Sequence, residues 1–303
     1  MTEPSRLSNS HHRMNTLGVY IHYPWCVQKC NYCDFFSMPV RSLTREDIKS
    51  NNDLYTKTVL GELSLRKNMF AEKTVTTIYF GGGTATMLEA EAVHAILAEI
   101  SNYYDIRECE ITVEGNPENF SADYLNSLHQ IGVNRVNAGF QSFSDESLAG
   151  LNRFHRKEQY DRALSALSKS PICNWGGDLM YGLPAQTEED FYGDLKELIS
   201  YNPKHLSLYS LTVEENTPLA YSVRKKETVE PDDFIQQKIL LNLSDYLIPH
   251  DFIQYEVSNF ARPHFECRHN LRYWPYRSYM GLGPGAHGFN GKTRYGNPRN
   301  IEA

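Results

Sequence analysis

The sequence predicts an α/β protein built around a parallel β-sheet, and three observations lead to this prediction. Short runs rich in β-branched and aromatic residues alternate with amphipathic stretches along most of the 303 residues. Hydrophobic residues make up 41% and charged residues 22%, as is ordinary for a globular chain. Polar and glycine-rich motifs follow the β-rich runs. In parallel sheets, catalytic and ligand-binding residues usually lie at these C-terminal ends of the strands. These patterns alone favour neither an open sheet nor a full or partial barrel.

Six β-rich runs are predicted as strands, and most end at Gly, Pro or Asn. In chain order they are LGVYIHY (17–23), VTTIYF (75–80), CEITVEG (109–115), NRVNAGF (134–140), NWGGDLMYG (174–182) and HLSLYSLT (205–212). The stretches between them have helical periodicity, as in Val93, Ile96, Leu97 and Ile100. Thr187, which precedes three acidic residues, is typical of a helix N-cap. Repeated strand–helix units imply right-handed crossovers between parallel strands.

The chain divides into three predicted segments. Residues 1–16 form a polar leader that we expect to be disordered, and it lacks the apolar run of a secretory signal. Residues 17–230 form the core, and residues 231–303 form a C-terminal extension. In the extension, DFIQQKILLNLSDYLI is predicted as a helix and FIQYEVS as a strand, ahead of a tail rich in Gly, His and aromatic residues.

Composition argues against several classes of function. The net charge of −7 disfavours non-specific nucleic-acid binding, which needs a basic surface. No stretch approaches the roughly 20 apolar residues of a membrane span. Six cysteines at irregular spacing indicate reduced thiols rather than a disulfide framework. We therefore expect a cytoplasmic protein with no nucleic-acid partner and no membrane span.

Three cysteines, Cys26, Cys30 and Cys33, lie within YIHYPWCVQKCNYCDFFS, at the end of the first predicted strand. Thiolates this close together are usually metal ligands. Structural zinc needs four ligands, which are commonly two CxxC pairs. Beside the three cysteines, only His22 is close enough in the sequence to serve as the fourth ligand. A cubane iron–sulfur cluster on three cysteines keeps one iron open for a ligand, and we favour that interpretation. A closed cluster with a fourth protein ligand would instead indicate an electron-transfer protein.

The glycine run Gly81–Gly83, followed by Thr84, comes directly after the second predicted strand. Such a run lets the backbone approach a ligand closely, although a tight turn alone can also explain it. Together with the cysteine loop it resembles the radical S-adenosylmethionine (SAM) superfamily. The resemblance implies a partial (β/α)6 barrel of the TIM type and a 4Fe–4S cluster whose open iron binds SAM. It also implies that one electron breaks the sulfonium bond of SAM to give a radical.

Further motifs resemble the branch of this superfamily that contains coproporphyrinogen III dehydrogenase (HemN) and the heme chaperone HemW. They are YIHYPWC, FGGGTATML, VEGNPENF, GVNRVNAGFQSF, LNRFH, DLMYGLPAQT, LSLYSLTVEENTP, QYEVSNFA, CRHNLRYW and GLGPGAHG, spread over residues 17–288. Phe35 stands where the dehydrogenase pattern has a further cysteine, and the CDF signature is typical of the chaperone branch.

The resemblance also assigns site residues. The expected SAM contacts are Tyr20, Tyr32, Gly82, Gly83, Thr84, Glu114, Gln141, Arg153, Asp178, Thr212 and His287. Glu114 is expected to hold the ribose hydroxyls, and Thr212 and His287 to lie on the adenine side. An HNxxYW motif supplies the expected heme contacts, which are His269, Asn270, Tyr273 and Trp274. A neutral histidine beside aromatic residues suits an axial ligand of heme.

The resemblance implies a heme chaperone that binds heme, the cluster and exchangeable SAM, and that passes heme to an acceptor protein. A one-electron reductant is a further expected partner. The alternative is an oxidoreductase that decarboxylates the propionates of coproporphyrinogen III, and a radical methyltransferase is a third possibility that no residue favours. Ala85, Gly115 and Asn152 depart from the usual proline, alanine and glycine of the family. Relatives continue into a helical domain, so we expect the extension to be truncated at Ala303.

Overall fold

The structure is a computed structural model that describes residues 15–153 and 157–301. Most of the predicted leader therefore lies outside the described residues, as do Phe154 and His155 of the LNRFH motif. Thr16, which the sequence placed at the end of the leader, is the first residue of the first strand, because it already pairs with Thr74.

One large β-sheet organises the described residues. Its strands, together with a short separate ladder, are β1 (Thr16–Tyr23), β2 (Trp25–Cys26), β3 (Met38–Pro39), β4 (Thr74–Gly82), β5 (Glu110–Gly115), β6 (Arg135–Gln141), β7 (Trp175–Tyr181), β8 (His205–Ser210), β9 (Ile253–Gln254), β10 (Asn259–Ala261), β11 (Tyr279–Leu282), β12 (His287–Phe289) and β13 (Arg294–Gly296). The sheet order is β13-β12-β11-β1-β4-β5-β6-β7-β8-β10-β9, and β2 pairs only with β3.

Six neighbouring strands, β1 and β4 to β8, run parallel in the order of the chain. Side chains alternate between the two faces of each strand. In β1, Leu17, Val19 and Ile21 are fully buried in the hydrophobic core, whereas Tyr20 and His22 point to the inner face of the sheet. The α/β class and the six predicted strands are confirmed.

The helices of the described residues cover the outer face of the parallel strands or follow them. They are α1 (Arg45–Arg66), α2 (Ala90–Tyr103), α3 (Ala122–Gln130), α4 (Asp145–Gly150), α5 (Lys157–Ser168), α6 (Glu188–Ser200), α7 (Pro218–Arg224) and α8 (Asp233–Leu247). Thr187 and Asp190 form a capping box that starts α6, which confirms the predicted helix start. None of the described helices combines the length and the apolar character needed to cross a membrane.

The prediction of a single strand over FIQYEVS was wrong. The chain forms β9 over only two residues, turns, and returns antiparallel as β10. The turn is stabilised by local bonds, in which the Gln254 side chain donates to the carbonyl of Val257 at 3.1 Å and the Tyr255 amide donates to that of Asn259 at 3.1 Å. The tail also contains β11, parallel to β1, which sequence periodicity did not reveal.

Residues 262–278, here named the floor segment, cross from β10 at one edge of the sheet to β11 near the other. They cover the N-terminal ends of the parallel strands. The Glu110 carboxylate, at the start of β5, accepts bonds from the amides of Arg268 at 3.2 Å and His269 at 3.1 Å. The Arg272 guanidinium donates to oxygens at the start of β1 and β4, at 2.9 and 2.8 Å. The extension therefore supplies strands at both edges and a floor beneath the inner face.

Candidate functional site

The three clustered cysteines lie on a loop that follows β1 at the C-terminal end of the parallel strands. The β2–β3 ladder closes this loop, with Cys26 paired to Pro39. Two backbone bonds join it to the glycine turn after β4, from Gly83 to the Tyr23 carbonyl at 2.7 Å and from Thr84 to the Trp25 carbonyl at 2.8 Å. The two motifs that the sequence separates by more than 45 residues thus form one rim.

The glycine turn has no room for side chains. A Cβ at Gly83 would lie 2.4 Å from the Trp25 carbonyl oxygen and 3.0 Å from the Cys26 sulfur. Gly82 adopts φ +112°, a conformation that L side chains rarely take, and a Cβ there would lie 2.8 Å from the His22 ring. The glycines are therefore required for close packing against the cysteine loop. This is a second reason for them, besides the close approach of a ligand that the sequence predicted.

The cysteines are partly buried, and burial raises the pKa of Cys26 and Cys33 above the usual 9.0. Positive charge is close by, because Arg153 Nη1 lies 3.8 Å from Cys30 Sγ. His22 offers no free nitrogen as a fourth ligand, since its Nδ1 bonds to the Tyr20 hydroxyl at 3.0 Å and its Nε2 to the Phe36 carbonyl at 2.8 Å.

Around a single zinc ion, thiolates would stand about 3.8 Å apart. Across residues 15–153 and 157–301, no group of three His, Cys, Asp or Glu side chains is arranged to hold a metal ion. A cubane cluster does not need the three thiolates around one metal atom, because each cysteine binds a separate iron of the cluster. The donor set of three thiols beside a buried cation fits such a cluster, whose net charge is negative when thiolates hold it.

Arg153 ties the cysteine loop to the ends of β5 and β6. Its side chain is buried, and its Nη2 donates to the Asn116 side-chain oxygen at 2.9 Å and to the Gly139 carbonyl at 2.8 Å. Its Nη1 approaches the Tyr32 hydroxyl at 3.5 Å as well as the Cys30 sulfur. The guanidinium therefore orients the loop and supplies positive charge at the same point.

Glu114 lies on the inner face beside the glycine turn. Its carboxylate accepts bonds from the Tyr79 hydroxyl at 2.7 Å and from the Gly82 amide at 3.0 Å. Burial raises the pKa of Glu114 to about 7. Further along the same face, both oxygens of Asp178 accept from Asn137 at 2.8 Å, and burial also raises the pKa of Asp178. Both acids are thus fixed in place, and each oxygen keeps acceptor capacity for a ligand hydroxyl.

Gln141 ends β6 in a left-handed conformation, with φ +71°, at a point where the β6–β7 register shifts. Its amide folds back over Gly139, where a Cβ would lie 2.7 Å from the Gln141 side-chain nitrogen. Non-glycine residues in this region are uncommon and cluster at functional sites. Tyr20 joins the same group through ring contact with Tyr79, at a centroid distance of 6.2 Å.

Two expected SAM contacts lie away from the glycine turn, and of these two only His287 lines a cavity with a member of this group, Tyr20. Thr212 is exposed two residues beyond the end of β8, and within the described chain its hydroxyl bonds to none of the residues above. His287 is exposed on β12, on the other side of β1 from the glycine turn. The remaining expected contacts share the rim and the inner face next to it.

Three supporting residues were missed from the sequence, which are Tyr79, Asn116 and Asn137. Tyr79 and Asn137 face inward on β4 and β6 and fix the two acids, and Asn116 receives Arg153. The alternation of strand residues would have placed the first two on the inner face. Nothing in the local pattern indicates which partner they bind.

The expected heme residues do not share one surface. His269 is 1% exposed, and its Nδ1 and Nε2 bond to the Thr77 hydroxyl at 2.9 Å and the Tyr273 hydroxyl at 3.0 Å. Burial lowers the pKa of His269 to about 3. Trp274, by contrast, is 60% exposed, and Asn270 lies between them in a short 3-10 turn. An axial ligand needs a free ring nitrogen, and this arrangement does not offer one on His269.

Glu114→Gln is expected to change how stability depends on pH. The ordinary pKa of this carboxyl is 4.5, so between that value and about 7 the folded chain holds a proton that the unfolded chain has released. Within this window the contribution of Glu114 to stability falls as pH rises, by up to about 1.4 kcal/mol per pH unit. The free energy of unfolding of Glu114→Gln should therefore rise relative to wild type from about pH 5 to about pH 7. Urea unfolding of both proteins at both pH values measures this. If the difference in unfolding free energy between Glu114→Gln and wild type were the same at pH 5 and pH 7, the prediction would be refuted.

Gly115→Ala is expected to destabilise the fold by about 1–3 kcal/mol through overpacking. A Cβ at Gly115 would lie 1.9 Å from the hydroxyl oxygen of Thr86, whose side chain is buried. This contact explains why the position holds glycine rather than the alanine that the resemblance led us to expect. In a Thr86→Ala background the same substitution should cost little, and urea unfolding of the four proteins measures the coupling. An equal cost in both backgrounds would rule out this contact as the cause.

Comparison with known proteins shows which family the sequence matches. A family model described as the radical SAM superfamily matches residues 20–198. The heme chaperone HemW of Escherichia coli (strain K12) is 37% identical to this chain over 91% of it and 71% of the relative. The heme chaperone HemW of Haemophilus influenzae is 36% identical with the same two coverages, and that of Mycobacterium tuberculosis (strain H37Rv) is 33% identical over 92% and 71%.

The solved structure of coproporphyrinogen III oxidase (HemN) from Escherichia coli, a radical SAM enzyme, has a similar fold. It superposes with a TM-score of 0.80 at 23% identity, covering 99% of this chain and 71% of that one. At this identity the likeness concerns the fold. It confirms the prediction of a partial, TIM-like (β/α)6 barrel.

Proposed function

Because this chain belongs to the radical SAM superfamily and, within it, to the family of the heme chaperone HemW, we propose that it binds heme and passes it to an acceptor protein. One observation carries this proposal, which is the identity of 33–37% to HemW relatives over about nine tenths of the chain. Phe35, at the position where the dehydrogenase pattern has a further cysteine, supports the same branch.

Cys26, Cys30 and Cys33 would hold a 4Fe–4S cluster, and SAM would occupy the neighbouring rim. When bound, the cluster supplies one-electron redox chemistry at its open iron. Arg153 would offset the negative charge of the thiolate-bound cluster, because its guanidinium already lies 3.8 Å from the Cys30 sulfur. Gly82 and Gly83 are partly exposed and carry no side chain, so their backbone can approach a small polar ligand next to the cysteines.

Glu114 would accept the hydroxyls of the SAM ribose. Tyr79 and Gly82 already hold its two oxygens, so binding costs little further ordering of the side chain. Asp178, fixed by Asn137, and Gln141 would contribute further polar contacts from the neighbouring strand ends. These residues would bind and orient the cofactor.

A heme titration of anaerobically reconstituted protein tests the proposed function. We expect saturable uptake of heme, followed by its transfer to an apoprotein such as apomyoglobin, as seen by absorbance. Protein that leaves added heme spectrally free would overturn the proposal. In a parallel reaction with SAM, reductant and coproporphyrinogen III, formation of protoporphyrinogen would establish the dehydrogenase activity instead.

A further inference from the structure

A cavity of about 380 Å³ lies between the cysteine loop and the β11–β12 turn. Aromatic side chains dominate its walls, with Phe35 and Phe36 from the loop, Tyr20 from β1, and Tyr273 and Tyr279 from the end of the floor segment and the start of β11. Concave sites lined by aromatic residues with a few polar groups are typical of ligand sites. The cavity is smaller than a heme, so a bound macrocycle would project from it.

Phe35 is the most exposed of these aromatic residues, at 68%. Its neighbour Phe36 is held in place, because its ring stacks on His22 at 6.3 Å and its carbonyl bonds to His22 Nε2. A ligand that covers an exposed phenylalanine side chain removes apolar surface from water, which favours binding. The solvent-exposed ring of Phe35, next to the fixed Phe36, therefore favours binding of a planar apolar ligand in the cavity.

His287 is the histidine of this cavity whose ring is available for a ligand. Within the described chain its imidazole makes no hydrogen bond, whereas both nitrogens of His22 are engaged. The β12–β13 pairing holds His287 opposite Gly296, and a Cβ at Gly296 would lie 3.0 Å from the imidazole. The ring thus packs against bare backbone, which limits its orientation.

Arg299 stands at the rim of the same cavity and is exposed. Guanidinium groups pair well with carboxylates. Asp34 carries the opposite charge on the rim, and no ion pair between these two residues occurs within the described chain. The cavity therefore combines aromatic walls, an available imidazole and one cation at its edge, which together suit a metalloporphyrin with a propionate directed to Arg299.

We propose that heme docks in this cavity with His287 as an axial ligand of its iron, Phe35 against the macrocycle and Arg299 on a propionate. This assignment rests on the proposed function and moves the axial contact from His269 to His287, which the sequence had placed beside adenine. The imidazole donates a nitrogen lone pair to the iron and displaces a water or anion. No electron or proton needs to be transferred.

Ferric heme titrations of wild type and of His287→Ala, His269→Ala and His94→Ala test the assignment, with electron paramagnetic resonance to identify the axial ligand. His287→Ala should lose the imidazole signature and bind heme at least about tenfold more weakly, equivalent to about 1.4 kcal/mol. Free imidazole should restore the signature. His94, exposed on α2, is the matched control, and both His94→Ala and His269→Ala should keep the wild-type signature.

Binding of SAM, measured on the same variants by equilibrium dialysis, separates the two roles of His287. Unchanged SAM affinity with lost heme ligation supports the assignment. A His287→Ala protein that keeps the wild-type heme spectrum and affinity overturns it, as does loss of the imidazole signature in folded His269→Ala. If wild type itself takes up no heme, the proposed function fails, and that outcome is distinct from a heme that binds through another residue.

Discussion

Cys30→Ala is expected to abolish cluster assembly, so that reconstituted protein carries almost no iron, against about four iron atoms per chain in wild type. With only three thiolates on the loop, losing one leaves two irons without a protein ligand. No other cysteine can replace it, because the remaining three lie at the opposite end of the barrel. Cys109 precedes β5, Cys173 precedes β7, and Cys267 lies in the floor segment.

Iron and sulfide counts and the visible absorbance of anaerobic samples measure this result. Cys173→Ala is the matched control, since this thiol is exposed and far from the loop, and it should keep full iron content. Circular dichroism should show that both variants are folded. Undiminished iron in Cys30→Ala would mean that the cluster is held elsewhere, and the proposed cofactor site would then be wrong.

Glu110→Ala is expected to lower the free energy of unfolding by about 3–5 kcal/mol. The carboxylate is 6% exposed and accepts the amides of Arg268 and His269, with the Cys267 thiol 3.8 Å away. Removal of the carboxylate leaves these buried amides without acceptors. It also removes a negative charge near the fully buried Arg135, and the Glu110 charge is one of the causes that raise the pKa of Arg135. Both consequences act on the floor segment, because these residues anchor it beneath the strands.

Urea unfolding measures this loss, and hydrogen exchange at the His269 amide reports local opening of the floor segment. Glu108→Ala is the control, since that side chain is exposed two residues earlier, and it should cost less than about 0.5 kcal/mol. Glu110→Gln should be intermediate, because it keeps one acceptor but places an amide donor against a backbone amide. Equal stability of Glu110→Ala and Glu108→Ala would show that this anchor is unimportant.

The parts of the fold around the candidate site that the sequence predicted depend on the order of residues along the chain. Strand ends follow from alternation and turn residues, and parallel topology brings those ends to one edge. Glu114 and Asp178, which the resemblance assigned, lie on the inner face, Glu114 beside the glycine turn and Asp178 in the middle of β7. The strand predicted over FIQYEVS failed for a local reason as well, because the Gln254 side chain and Val257 carbonyl stabilise a turn inside a β-rich run.

By itself, the sequence determined the α/β class, the six parallel strands and the spacing of three cysteines at a strand end. Only the tertiary structure decided that His269 turns inward between Thr77 and Tyr273 while His287 stays open beside Phe35. Periodicity and spacing are properties of neighbouring residues, whereas the burial of a side chain depends on distant segments. The floor segment reaches the inner face across roughly 190 residues of sequence separation, and no local pattern encodes that contact.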